Sequence, residues 1–121
     1  MGEETYSYKD LTVWRRSMEL VTAVYALTAS FPKSELYGLT SQIKRAAISI
    51  PSNIAEGRRR GTRKDYRQFL LIAYGSGAEL ETQIEIAKRL SFIQNLNANQ
   101  VDSLLSEVMR MLNKMVGSLR S

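Results

Sequence analysis

Six of the chain's seventeen basic residues fall in one ten-residue window: Arg58, Arg59, Arg60, Arg63, Lys64 and Arg67. Asp65 is the one acid among them, so the window carries the chain's entire net charge of +5. Elsewhere, eleven basic residues balance eleven acidic ones. Charge gathered on a single stretch points to a polyanionic partner. Five of the six are arginines, whose planar fork suits bidentate contact with phosphate. Glycines at 57 and 61 allow close backbone approach. Lys44 and Arg45 are weaker additions. No motif that reads base edges is present, so binding without base specificity is expected. If the window neutralises about five phosphates, log affinity should fall against log salt with a slope of about −4.5 on duplex DNA. The plain alternative is a solvated turn, in which cations at the end of the preceding helix simply suit its dipole. Arg63 and Lys64 speak against it, because they stand at the start of the next helix, where that dipole disfavours them.

Other chemistry is poorly supplied. The chain has no Cys and no His. That excludes a disulfide framework, Cys/His zinc sites and the commonest general acid–base side chain. Glu79, Glu81 and Glu85 cluster, but di-metal centres in helix bundles also use Glu-x-x-His. They read as solvated charges or as inter-subunit ion pairs. No nucleophile–base pair and no phosphate-cradling loop is visible, so no catalytic, cofactor or metal residues are expected, and no enzyme. Gln42, Arg45, Asn53 and Glu56 lie on one helix. Their reading is structural: Asn53 and Glu56 serve backbone groups freed by Pro51, and Arg45 pairs with a carboxylate such as Glu79. No run approaches the roughly 18 apolar residues of a membrane span. Met1 to Tyr6 is acidic and polar, unlike a signal peptide, and Tyr6 occupies the place where a myristoylation signal has Ser or Thr. A cytoplasmic location is expected.

The elements that must carry the basic window are helices, since strand-type alternation is scarce while Leu, Ala, Glu and Arg are plentiful. A tail over residues 1–9 precedes helices at about 10–30, 38–56, 62–91 and 98–119, in one domain. In the first, Leu11, Trp14, Met18, Val21, Tyr25 and Thr28 form the seam, with Leu20, Val24, Leu27 and Phe31 beside it. Leu39, Ile43, Ala46 or Ala47, Ile50 and Ile54 form the second stripe, with a kink expected at Ala47–Pro51 and the stop at Gly57. Thr62 and Asp65 have capping-box spacing. The third stripe is Tyr66, Leu70, Ala73, Gly77, Leu80, Ile84 and Ala87; Tyr66 could stack on a base, but this position assigns it to the core. Glu85 and Arg89 are spaced as an i,i+4 pair. The fourth helix starts after Asn97, with Gln100 as box partner. Its stripe is Val101, Leu105, Val108, Leu112, Met115 and Leu119. Short connections make neighbours antiparallel. A turn at Gly57–Gly61 would set Ile43 against Gly77, Ala47 against Ala73, Ile50 against Leu70 and Ile54 against Tyr66. The small waist of that hairpin leaves room for large side chains from elsewhere. Trp14 is expected near Ile54, and the aromatics Trp14, Tyr25, Tyr37 and Tyr74 divide between core and subunit interface.

Four stretches carry a resemblance: 8–14 (YKDLTVW), 31–35 (FPKSE), 41–57 (SQIKRAAISIPSNIAEG) and 73–81 (AYGSGAELE). Together they resemble the bacterial family of four-helix-bundle proteins encoded in intervening sequences of 23S ribosomal RNA genes. The likeness spans about Tyr8 to Leu119. It implies an all-α, antiparallel up-down four-helix bundle, a ring-like homopentamer and no catalytic residues. It also implies suspected nucleic-acid binding, and a similarity of architecture to accessory proteins of diversity-generating retroelements. The chain departs from the family pattern after Glu56-Gly57, where Arg58-Arg59-Arg60 replaces an aromatic or Gly followed by one Arg. The expected function is therefore binding of RNA or DNA by an oligomer. The alternative is an interaction scaffold whose basic tip meets an acidic protein.

Overall fold

The structure, a computed structural model, describes residues 7–120. The readings made on Met1 to Tyr6 lie outside the described residues. Four helices follow in order: α1 (Thr12–Thr28), α2 (Leu39–Arg60), α3 (Arg63–Arg89) and α4 (Asn95–Ser118). Short 3-10 turns precede α1 (Tyr8–Asp10) and α2 (Lys33–Glu35). Helix α1 packs on α2 and α4, and α3 packs on the same two, with α2–α3 the most extensive pairing. The result is an all-α four-helix bundle with one continuous apolar core. Antiparallel connections bring the start of α1, the end of α2, the start of α3 and the end of α4 to the same end. No described helix is long and apolar enough to cross a membrane.

The stripes of α2, α3 and α4 are buried much as their spacing predicts. Ile43, Ala46, Ala47, Ile50, Ile54, Leu70, Ala73, Gly77, Leu80, Ile84, Ala87, Val101, Leu105, Val108 and Leu112 all lie inside. Leu39, Tyr66, Met115 and Leu119 are only half-buried. In α1 the order of the stripes is reversed. Leu20, Val24, Leu27 and Phe31 form the core with Val13, Ser17 and Ala23, while Met18 and Tyr25 stand outward. Both stripes are apolar, so spacing alone could not choose between them. The buried hydroxyls of Ser17 and Thr28 are satisfied within the helix by Val13 O and Val24 O, at 2.6 and 3.0 Å.

Helix α2 does not stop at Gly57. It runs on to Arg60, and Gly61 ends it with φ of +87°, in the left-handed region that favours glycine. Gly57 is buried for a different reason: a Cβ there would stand 2.6 Å from Phe69 Cβ. The α2–α3 register is therefore displaced by about one helical turn from the expected pairs. Ser49 meets Ser76 through their hydroxyls at 2.8 Å. The small waist admits Met109 from α4, whose sulfur sits where a Cβ on Gly77 would be.

Two capping expectations are revised. Thr62 caps α3 by accepting from Asp65 N at 3.1 Å, but the return bond of the box is not made. Helix α4 begins at Asn95 behind Gln94, without a side-chain cap, so neither Asn97 nor Gln100 serves as expected. The full reciprocal box occurs instead between Ser7 and Asp10, which turns residues 8–10 into ordered structure before α1.

Candidate nucleic-acid interface

The six predicted cations all sit at one end of the bundle, but they have different surroundings. Arg60 is turned back: its guanidinium donates to Glu56 at 3.1 Å and lies 4.9 Å from the Phe69 ring centre. That pair removes one of the six charges from the tip. Arg63 donates to Ser118 O at 3.2 Å, and Arg67 to Val116 O at 3.3 Å. These carbonyls end α4, whose negative dipole end attracts cations. The placement of Arg63 and Arg67 near the start of α3, unfavourable within their own helix, is thus favourable toward the neighbouring one. Both keep their charge, since a carbonyl is neutral. Arg58, Arg59 and Lys64 are exposed and, among the described residues, pair with no carboxylate.

The start of α3 and the end of α4 enclose an open hollow of about 660 Å³. Arg63, Lys64, Arg67, Gln68, Leu119 and Arg120 line it, with no acidic side chain among them. Arg63 and Arg67 are held in place by their carbonyl bonds, and each has further N–H groups left to donate. Arg120 and Gln68 were missed by sequence reasoning. The signal existed in the antiparallel order, which returns the end of the fourth helix to the start of the third.

Tyr66 lies under the tip. Burial raises its phenol above the ordinary 10.0, and the nearby Arg58 charge offsets part of that rise. Its hydroxyl is buried without a hydrogen-bond partner, so Tyr66 belongs to the packing and not to the exposed surface. Arg59 lies on another aromatic, 5.5 Å from the centre of the Tyr8 ring, and Tyr8 meets Trp14 edge-on at 5.4 Å. Lys44 stands 4.5 Å from the centre of the Tyr25 ring, well away from the tip.

The polar residues of α2 are arranged otherwise than expected. Arg45 donates to Ser41 Oγ at 3.3 Å and forms no ion pair with Glu79, which accepts from Gln83 at 3.2 Å. Asn53 donates to Ser49 O at 2.8 Å and to Ser49 Oγ at 2.9 Å. Its amide thus serves the carbonyl of Ser49, not that of Ala47 opposite the proline. Glu56 holds Arg60 and takes no part in serving the backbone around Pro51. Glu85 binds Arg89 at 3.1 Å as the spacing predicts. Among the described residues, no three acidic side chains converge as metal ligands.

A family model described as 23S rRNA-intervening sequence protein matches residues 9–114. The chain belongs to this family. A similar solved structure is that of a protein with unknown function from the S23 ribosomal protein family of Bacteroides thetaiotaomicron VPI-5482. It aligns with a TM-score of 0.77 and 22% identity over 87% of this chain and 98% of that one. At that identity the likeness speaks to the fold alone. A search of curated proteins returns no match. Family membership thus agrees with the four-helix architecture and with the resemblance read from the motifs.

Proposed function

We propose that this protein is a non-enzymatic nucleic-acid-binding member of its family, engaging the phosphates of RNA or DNA through the basic end of the bundle. The hollow lined by Arg63, Lys64, Arg67 and Arg120, with no acidic side chain among the described residues that line it, carries the reading. Arg58 and Arg59 extend the same positive surface across the end of α2. Phosphate contacts of this kind position a strand without reading its sequence. A homo-oligomer, pentameric by family resemblance, would present several such ends at once and multiply weak contacts by avidity. The exposed Leu71, Ile72 and Ile86 on the outer side of α3 support self-association.

The test is an anisotropy titration with labelled RNA and DNA of unrelated sequences at rising salt. Binding to all of them with a steep negative salt slope is the expected result. Absence of binding to either nucleic acid at low salt would remove the proposal. Salt-sensitive capture of one acidic protein without nucleic acid would replace it with the scaffold reading.

A further inference from the structure

The stripe expected to be the seam of α1 borders a groove. Trp14, Met18 and Val21 of α1 face Ile48, Pro51 and Ala55 of α2 across an open, mostly apolar hollow of about 320 Å³, with Tyr8 at one end. Met18 and Ile48 are each 41% exposed, so these side chains are presented to solvent and not closed over. Among the described residues, no charged side chain lines the hollow.

Each end of this line of residues is marked by a cation on an aromatic ring. Arg59 lies on Tyr8 and Lys44 lies on Tyr25. On α2 the sequence Lys44, Ile48, Ser52, Ala55, Arg59 follows spacings of four, four, three and four, which is one helix face. The two cations are therefore about 22 Å apart along that face, at the helical rise of about 1.5 Å per residue. Mostly apolar and aromatic surface, with the Ser52 hydroxyl, fills the interval.

We propose that the groove between α1 and α2 holds the unstacked bases of a single nucleic-acid strand, with Arg59 and Lys44 taking phosphates at its two ends. The proposal rests on the nucleic-acid reading above and narrows it to single strands. Its physical basis is the alternation of charge and apolar surface. Proteins that bind single strands combine cations that follow the backbone with aromatic faces for the bases. In a duplex the bases are stacked inside and cannot reach such a groove. Arg59 belongs to both surfaces, so a strand leaving the groove passes onto the basic end of the bundle. DNA and RNA share the chemistry required, a base flanked by phosphates.

Trp14 is the chain's one tryptophan, which makes the test direct. The intact protein is titrated with a labelled mixed-sequence DNA strand, the RNA strand of the same sequence, and the corresponding duplexes. Strand anisotropy and Trp14 emission are read together. The expected result is quenching of Trp14 in step with single-strand binding, and none with duplex. Quenching by one of the two strands only would identify the sugar preferred. Tyr8→Ala should weaken single-strand binding roughly 5- to 150-fold, the range measured for losing one stacked base, and weaken duplex binding far less, since a duplex loses only the ring on which Arg59 rests. Ile48→Glu, at a half-open surface position, should abolish the quenching by placing a carboxylate beside the bases. Strands that bind without altering Trp14, or duplexes that quench it equally, overturn the groove while leaving the basic end intact. Absence of all binding overturns both.

Discussion

Replacing Gly57 by alanine separates two accounts of why glycine stands there. Within a helix the change would ordinarily stabilise by about 0.5–1 kcal/mol, because alanine loses less backbone freedom on folding. Here the added Cβ would stand 2.6 Å from Phe69 Cβ and 3.3 Å from Tyr66 Cδ1. Comfortable carbon contacts lie at about 3.5–4.0 Å, so α2 and α3 must part by about 1 Å at this crossing. A Cβ cannot rotate out of the way, as the end of a long side chain can. Overpacking of this kind costs about 1–3 kcal/mol. A clash between two Cβ atoms cannot relax, so the cost lies in the upper part of that range, at about 2–2.5 kcal/mol, and the net loss after the helical gain is about 1–2 kcal/mol. For a chain of this length that lowers Tm by about 4–8 °C. Thermal and urea unfolding followed by circular dichroism would measure it, with the urea midpoint falling and the m-value unchanged. Gly77→Ala is the control. Its Cβ would meet the sulfur of Met109, but a flexible methionine can repack, so Tm should stay within about 2 °C. A Gly57→Ala protein as stable as the parent, or more so, would refute the claim that close helix contact requires this glycine.

Three further outcomes follow from the tip and its support. Lys64→Ala should flatten the salt slope on duplex DNA by about 0.9, the value of one phosphate contact. Arg60→Ala should leave that slope alone, since Glu56 already neutralises Arg60; equal effects from both substitutions would contradict the observed pairing. Tyr66→Phe removes a buried hydroxyl that has no partner, and should be neutral or stabilising by up to about 1 kcal/mol in urea unfolding. The raised Tyr66 pKa favours the protonated phenol in the folded state. The stability linked to it is therefore present below pH 10.0 and lost as pH climbs through the higher folded value. Tyr66→Phe should lessen this alkaline loss, and unfolding curves measured on both sides of pH 10.0 would detect it.

Much of the bundle was legible because helical spacing is a local property. The stripes of α2, α3 and α4, the Thr62 cap and the Glu85–Arg89 pair each depend on residues a few positions apart. The errors came where two local signals competed. Gly57 reads as the stop although Gly61 ends the helix, and only the approach of Phe69 tells a packing glycine from a left-handed one. Helix α1 has two apolar stripes, and only its neighbours decide which one faces inward. The one facing out borders the groove. The concentration of charge in residues 58–67 was plain from the sequence, but its division was not. Glu56 lies one turn before Arg60, within reach of a sequence argument, whereas the carbonyls that hold Arg63 and Arg67 come from α4, some fifty positions away.

Sequence by itself determined four helices, an all-α bundle and a positive charge confined to one hairpin end, because periodicity, caps and charge density are written in neighbouring residues. Tertiary structure alone decided that the last carbonyls of α4 hold Arg63 and Arg67, and that Arg59 and Lys44 bracket an apolar groove. Those relations depend on which helix faces meet, and burial and electrostatics act through space, without regard to distance along the chain.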